Sequence, residues 1–241
     1  GEKPRYIRTG LSKLDENLHL VPGNYFVIGG RPSAGKTALS LQLAAGMAKQ
    51  GKRVCYFSLE TDPATLQARL IANQLYAPLS AVKNKTLSIN ELDRLADMKR
   101  WPLYIRSAAG KGVAWIKAQA LRMKADIIFV DYLQLIHERG SSDRYNAITE
   151  ISIALHELAQ TTGILVVALA QLNRNAARAE PSNADLRESG QIEQDADAIL
   201  LLSADGDTYF SRLTKNKEGR VGNAGLEFDK MTQRFTCVTA N

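Results

Sequence analysis

The chain has 241 residues, 45% hydrophobic, 23% charged and 7% aromatic. That balance excludes a disordered segment, and a chain this long closes a core without disulfides or a structural metal. Lys plus Arg is 31 against 25 for Asp plus Glu, a net charge of +6 with a pI near 9.3, which permits a polyanionic partner such as nucleic acid without requiring one. No apolar run approaches the roughly 18 residues of a membrane span, and the N-terminus lacks the apolar centre of a secretory signal, so neither membrane nor export is expected. Cys55 and Cys237 lie in the apolar runs VCYF and FTCV. They read as buried free thiols in a reducing cytoplasm.

In chain order, short apolar runs alternate with longer helical stretches. Residues 25–28 read as a strand, followed by a glycine-rich turn and a helix over 37–50 that Gly51 can close. A strand over 54–57 leads to helices over 64–76 and 89–98, the second opened by a capping box of Ser88 and Glu91. Then come a strand at 103–105, a helix at 113–124, a strand at 127–130, a helix at 145–161 and a strand at 164–169. Ile148, Ile151, Leu155 and Leu158 give that last helix the stripe of a sheet-packed element. Trp101 and Trp115 are expected on or beside the core.

Several strands are apolar without alternation, as in a parallel sheet covered on both faces. From Leu172 to Ala196 there is no sustained apolar period and no anchor long enough to bury itself. A connection longer than about 15 residues is usually functional or mobile. After Leu202 the segments 208–214, 226–228 and 234–238 read as hairpins. The expected fold is therefore α/β, a mainly parallel central sheet with helices on both faces and antiparallel strands at the C-terminal edge.

Directly after the first strand stands Gly30, Arg31, Pro32, Ser33, Ala34, Gly35, Lys36, Thr37, a full match to G-x-x-x-x-G-K-[ST], with Ala38 leading into an apolar helix. Such a loop wraps backbone N–H groups round a phosphate chain at a helix N-terminus. Lys36 is placed to reach the β- and γ-phosphates of ATP or another NTP, and Thr37 to offer its hydroxyl to Mg2+. The run IIFVD ends an apolar strand with Asp131, a second magnesium anchor on the same rim. Glu60, just past the strand at 54–57, is the expected general base; its structural alternative is a helix-capping acid before Pro63. Gln171, just beyond the strand at 164–169, sits where a polar group senses the γ-phosphate. His19, His137 and His156 are too widely spaced to suggest a zinc site with the cysteines.

Five stretches resemble the bacterial replicative DNA helicases, the DnaB-like family of RecA-fold ring motors. They are TGLSKLDENL at 9–18, GGRPSAGKT at 29–37, FSLE at 57–60, IIFVDYLQL at 127–135, and AQLNR at 170–174 followed by DLRESGQIEQDAD at 185–197. The resemblance implies a RecA-like P-loop NTPase, the motor domain of a homo-hexamer that hydrolyses nucleoside triphosphate while moving along single-stranded DNA. Helicase loader and primase are partners implied by the same likeness. It also implies that the loop over 183–190 faces the DNA, with Arg187, Glu188 and Gly190 beside the backbone. The residues themselves add Arg174 and Arg178 and offer no aromatic platform, which favours backbone contacts over base stacking.

The largest departure concerns a cation supplied to the neighbouring subunit. Family members carry a K-x-R-x-G pattern on a late strand, whereas this chain reads Lys215, Asn216, Lys217, Glu218, Gly219, Arg220. Either Lys217 supplies the charge without the planar fork of an arginine, or Arg220 does so through a shifted turn, or hydrolysis is intrinsically slow; Lys215 stands with Lys217 among the candidate catalytic residues. Residues 1–20 are expected to be a linker remnant and lead-in, and 21–241 the motor domain of a longer parent. Two other readings of the motifs are a RecA-like recombination or repair ATPase that forms filaments on DNA, and a P-loop phosphotransferase acting on a small molecule or a protein hydroxyl.

Overall fold

Five apolar strands, buried along nearly their whole length, need cover on both faces, and the helices between them supply it. The structure, a computed structural model, describes residues 6–137, 144–172, 182–186, 190–205 and 208–238. Strands β1 (Tyr25–Gly30), β2 (Val54–Ser58), β3 (Leu103–Ser107), β4 (Ile127–Asp131), β5 (Leu165–Gln171) and β6 (Ala198–Asp205) are parallel. Their order is β3-β2-β4-β5-β1-β6, and antiparallel β7 (Thr208–Asn216) and β8 (Gly222–Asn223) extend the β6 edge. The expected α/β sheet with an antiparallel C-terminal edge is the one observed. The expected strands omit β6, whose apolar run directly follows the segment read as a loop.

Alternate side chains along the strands feed two cores. Phe26, Ile28, Tyr56, Phe129 and Val167 pack with helices α2 (Lys36–Lys49) and α3 (Pro63–Leu75). On that side, too, the lead-in buries Ile7, Leu11, Leu14, Leu18 and Leu20 around the short α1 (Ser12–Asp15). Val27, Phe57, Ile128, Val130 and Val166 face the opposite core, formed with α6 (Val113–Arg122) and α7 (Arg144–Thr162). The stripe Ile148, Ile151, Leu155 and Leu158 lies in it. Two further helices, α4 (Leu79–Lys83) and α5 (Ile89–Met98), lie between α3 and β3, and Ser88 with Glu91 makes both bonds of a capping box at α5. Trp101 and Trp115 pack against the two cores.

Two expectations need correction. The stretch from Leu172 to Ala196 is anchored: Leu172, Leu186, Ile192 and Ala196 are buried in the second core. Leu186 ends a 3-10 turn at Asn183–Leu186 and Ile192 lies on α8 (Gly190–Asp195), two elements too short to impose a helical period on the sequence, while Leu172 follows β5 and Ala196 follows α8. Cys237 is only half-buried, because it lies on a separate hairpin of β9 (Leu226–Asp229) and β10 (Arg234–Cys237) rather than in the central sheet. Cys55 is buried as expected, and burial pushes its thiol up to about 11. No helix among the described residues is long and apolar enough to cross a membrane.

Candidate nucleotide-hydrolysis site

The parallel register brings the carboxyl ends of β1, β2, β4 and β5 to one rim, where ligands of open α/β sheets gather. A cleft of about 640 Å³ opens there, lined by Pro32, Ser33, Gly35, Lys36, Thr37, Ala38, Glu60, Asp131 and Gln171. The loop after β1 reaches it through two left-handed residues, Ser33 at φ 63° and Gly35 at φ 84°. Gly35 is required twice over, since a Cβ there would also lie 2.8 Å from Phe235 Cζ. Ala34 donates its amide to Arg31 O at 3.2 Å, and Lys36 begins α2.

The Lys36 ammonium donates to Gly30 O at 2.7 Å and Arg31 O at 3.1 Å. Burial lowers it to about 8, against the opposing pull of the Asp131 and Glu60 charges. Thr37 Oγ1 donates to Asp131 Oδ2 at 2.9 Å, and the Tyr56 hydroxyl donates to the same oxygen at 2.8 Å. Ser40 Oγ joins Tyr56 at 2.8 Å, so α2, β2 and β4 meet at one carboxylate. Burial raises the Asp131 carboxyl above the ordinary range, while the bonds from Tyr56 and Thr37 and the Lys36 charge hold it down.

Glu60 is exposed on the cleft wall. It is not the helix cap: Asp62 caps α3, accepting from Ala64 N at 2.9 Å and Thr65 N at 3.1 Å. Leu59 N donates to Asp131 O at 2.8 Å, which closes the last rung of the β2–β4 ladder, Ser58 with Asp131, and brings Glu60 to the Asp131 end of the sheet. Gln171 is the last residue of β5, paired with Gly30 of β1.

Lys215 and Lys217 are on the other rim. Lys217 N donates to Asp197 O and Asp197 N to Tyr25 O, so Lys217 is level with the start of β1. Gly30 lies five residues further along β1, about 17 Å at the rise of a parallel strand. Lys217 Nζ is 2.6 Å from Asp197 Oδ1, whose other oxygen accepts from Tyr25 N at 2.8 Å. Lys215 Nζ donates to Gln194 O at 3.0 Å, the C-terminal end of α8, and burial followed by the Lys217 charge lowers it. The turn after Lys217 is seated on the lead-in: a Cβ on Gly219 would fall 2.0 Å from Asn17 O, and His19 Nδ1 lies 2.9 Å from Glu218 O. Arg220 is exposed on the same turn.

Gly190 is the exposed first residue of α8. Arg174, Arg178, Arg187 and Glu188 lie outside the described residues.

Sequence reasoning missed Tyr56, Arg69, Tyr132, Phe228, Lys230 and Gln233. Tyr56 left a signal, because a tyrosine buried in an apolar strand needs a partner for its hydroxyl. Arg69, Tyr132, Phe228, Lys230 and Gln233 also line the cleft. The last three come from the β9–β10 hairpin, whose return across α2 has no local mark in the sequence.

A family model described as the DnaB-like helicase C terminal domain matches residues 6–237. The chain is 36% identical over 249 residues to the replicative DNA helicase DnaB of Treponema pallidum, covering 96% of this chain and 56% of that protein. It is 35% identical over 245 residues to a probable plasmid replicative DNA helicase of Chlamydia trachomatis, covering 95% and 54%. The chain thus spans about half the length of the curated relatives it matches. A solved structure described as an ATPase domain shares its fold with a TM-score of 0.89 at 28% identity, covering 97% of this chain and 91% of that one. A DnaB-like replicative helicase, described with its interactions with primase, gives 0.89 and 28% over 99% of this chain and 65% of its own. The fold is RecA-like, and with a match running from residue 6 to residue 237 the chain belongs to the DnaB-like helicase C-terminal domain family.

Proposed function

We propose that this chain is the motor domain of a replicative DNA helicase, which hydrolyses ATP or another nucleoside triphosphate to move along single-stranded DNA in a homo-hexameric ring. The observation that carries the reading is the meeting of Lys36, Thr37, Glu60, Asp131 and Gln171, from four strand ends, in one cleft. The relatives' description as replicative helicases supports it.

In this reading the loop 30–38 receives the phosphates, and Lys36 exchanges the Gly30 and Arg31 carbonyls for phosphate oxygens. Thr37 Oγ1 and Asp131 Oδ2, 2.9 Å apart, are hard oxygen donors of the kind magnesium takes, and they would hold it. A magnesium ion held there would supply positive charge to the phosphate oxygens. Glu60 accepts the proton of the attacking water, and the pre-aligned loop makes positioning the main catalytic term. Gln171 senses the γ-phosphate and passes its presence to the chain beyond Leu172, where Arg174, Arg187, Glu188 and Gly190 stand beside the DNA backbone. Lys215 and Lys217, too far along the sheet to reach their own cleft, supply cations to the cleft of a neighbour.

Residues 21–241 form the motor and 1–20 its lead-in from a preceding linker, in a cytoplasmic ring served by a loader and a primase. The test is hydrolysis by the full-length protein with and without single-stranded DNA. Lys36→Ala should lose nucleotide binding, whereas Glu60→Gln should keep it and lose about 10²- to 10⁴-fold in turnover. Filaments on DNA in place of closed rings, or turnover indifferent to DNA, would reject the reading.

A further inference from the structure

The β4–β5 ladder stops before either strand reaches the cleft. Its last rung is Val130 with Ala168, whereas β5 continues beside β1 as far as Gln171 opposite Gly30. Among the described residues, the final residues of β5 therefore have a strand neighbour on the β1 side only. On the β4 side the chain turns away through a 3-10 turn at Leu133–Leu135. The middle residue of that turn fills the gap: Gln134 Nε2 donates to Gln171 O at 3.0 Å, and Gln171 N donates to Gln134 Oε1 at 3.1 Å.

A primary amide carries a donor and an acceptor in one plane, as a peptide group does, so the Gln134 side chain acts as one more rung of strand. Leu133, fully buried, anchors the turn that presents it. On its other side the end of β5 is held by Leu172 N donating to Gly30 O at 3.1 Å. The Gln171 backbone is thereby clamped between the first residue of the phosphate loop and a residue three positions past Asp131. Asp131, Tyr132 and Gln171 all line the cleft.

From this we infer that Gln134 is a positioning residue: it aims the Gln171 side chain into the cleft and couples movement of the segment 131–135 to the chain that leaves β5 towards the 183–190 loop. The inference rests on the reading of Gln171 as the γ-phosphate sensor. Gln134 is not among the described residues that line the cleft. Its effect belongs to the link between hydrolysis and DNA, since a two-bond clamp fixes the direction in which β5 can relay a displacement.

The experiment uses the full-length protein, ATP and oligo(dT). Gln134→Met keeps the volume and removes both bonds; Gln134→Glu keeps the acceptor for Gln171 N and sets a carboxylate against Gln171 O. In both variants the KM for ATP and the DNA-free turnover should stay within about twofold of the parent, while stimulation by DNA falls by about tenfold. Thermal melting by circular dichroism shows that each variant is folded. Full stimulation in both variants, beside its loss in Gln171→Ala, overturns the inference alone. An equal fall in turnover with and without DNA also overturns it, because that is the signature of a merely structural residue. Full stimulation in Gln171→Ala overturns the sensor reading itself, and the role of Gln134 with it.

Discussion

Lys217 and Asp197 form a 2.6 Å ion pair on the amino rim of the sheet, opposite the phosphate loop of the same chain. The two partners are unequally placed: the lysine side chain is 49% exposed and the aspartate 12%. Asp197 also accepts from Tyr25 N and links β1 to β7.

The asymmetry separates stability from function. Lys217→Ala should change stability by no more than about 1 kcal/mol, as exposed pairs do. Asp197→Ala leaves the buried Tyr25 amide without its acceptor and should cost about 1–3 kcal/mol. Denaturant melts measure both. In rings of full-length protein only the lysine variant should lose turnover while remaining fully folded, and in mixed rings its defect should appear at the neighbouring site.

Asp131 is expected to trade stability for chemistry. Burial raises its folded carboxyl above the ordinary value of 3.8. Folding therefore favours the protonated acid, a contribution fully present below the unfolded value and lost as pH rises through the folded one. At neutral pH the wild type keeps a buried charge that Asp131→Asn removes. The variant should melt a few degrees higher at pH 7, the gain should shrink towards pH 4, and magnesium-dependent turnover should disappear. A lower melting temperature at pH 7 would contradict the assignment of burial as the dominant influence.

Lys36 predicts a pH dependence of nucleotide binding. Its ammonium is lowered to about 8 by burial, with Asp131 and Glu60 as the charges opposing the shift. Phosphates favour the charged form, so nucleotide affinity should be full well below pH 8 and decline as pH rises through it. Titration calorimetry in two buffers of different ionisation enthalpy should show proton uptake on binding at pH 8.5 and little at pH 7. Equal proton uptake at both would place the titrating group elsewhere.

Gly35→Ala should be poorly tolerated. The φ of 84° and the 2.8 Å approach to Phe235 Cζ act on the same atom. A strained residue of this kind costs about 1–3 kcal/mol, and displacing Phe235 would tilt the β9–β10 hairpin that walls the cleft. Thermal melting and nucleotide affinity should fall together.

Much of this site was legible because the chemistry of phosphate binding demands contiguous residues. The loop 30–37, Asp131 at the end of an apolar run and Glu60 two residues past β2 are each marked by their immediate neighbours. Tyr56, Gln134 and Asp197 were not read, since their partners lie 75, 37 and 20 residues away along the chain. The anchoring of the 172–196 stretch escaped for a related reason. Leu172, Leu186 and Ile192 bury into one core from separate short elements, and no period connects them. The β9–β10 hairpin was legible as a hairpin but not as a wall of the cleft, because its position depends on Phe235 meeting α2 and Gly35.

A crystal structure of the protein with magnesium and a non-hydrolysable ATP analogue is the decisive experiment. The triphosphate should lie along the loop 30–38 with Lys36 on its terminal phosphates, the metal between Thr37 and Asp131, and Gln171 turned towards the γ-phosphate. Nucleotide bound away from Lys36 and Asp131 would refute the assignment of this cleft as the site of hydrolysis.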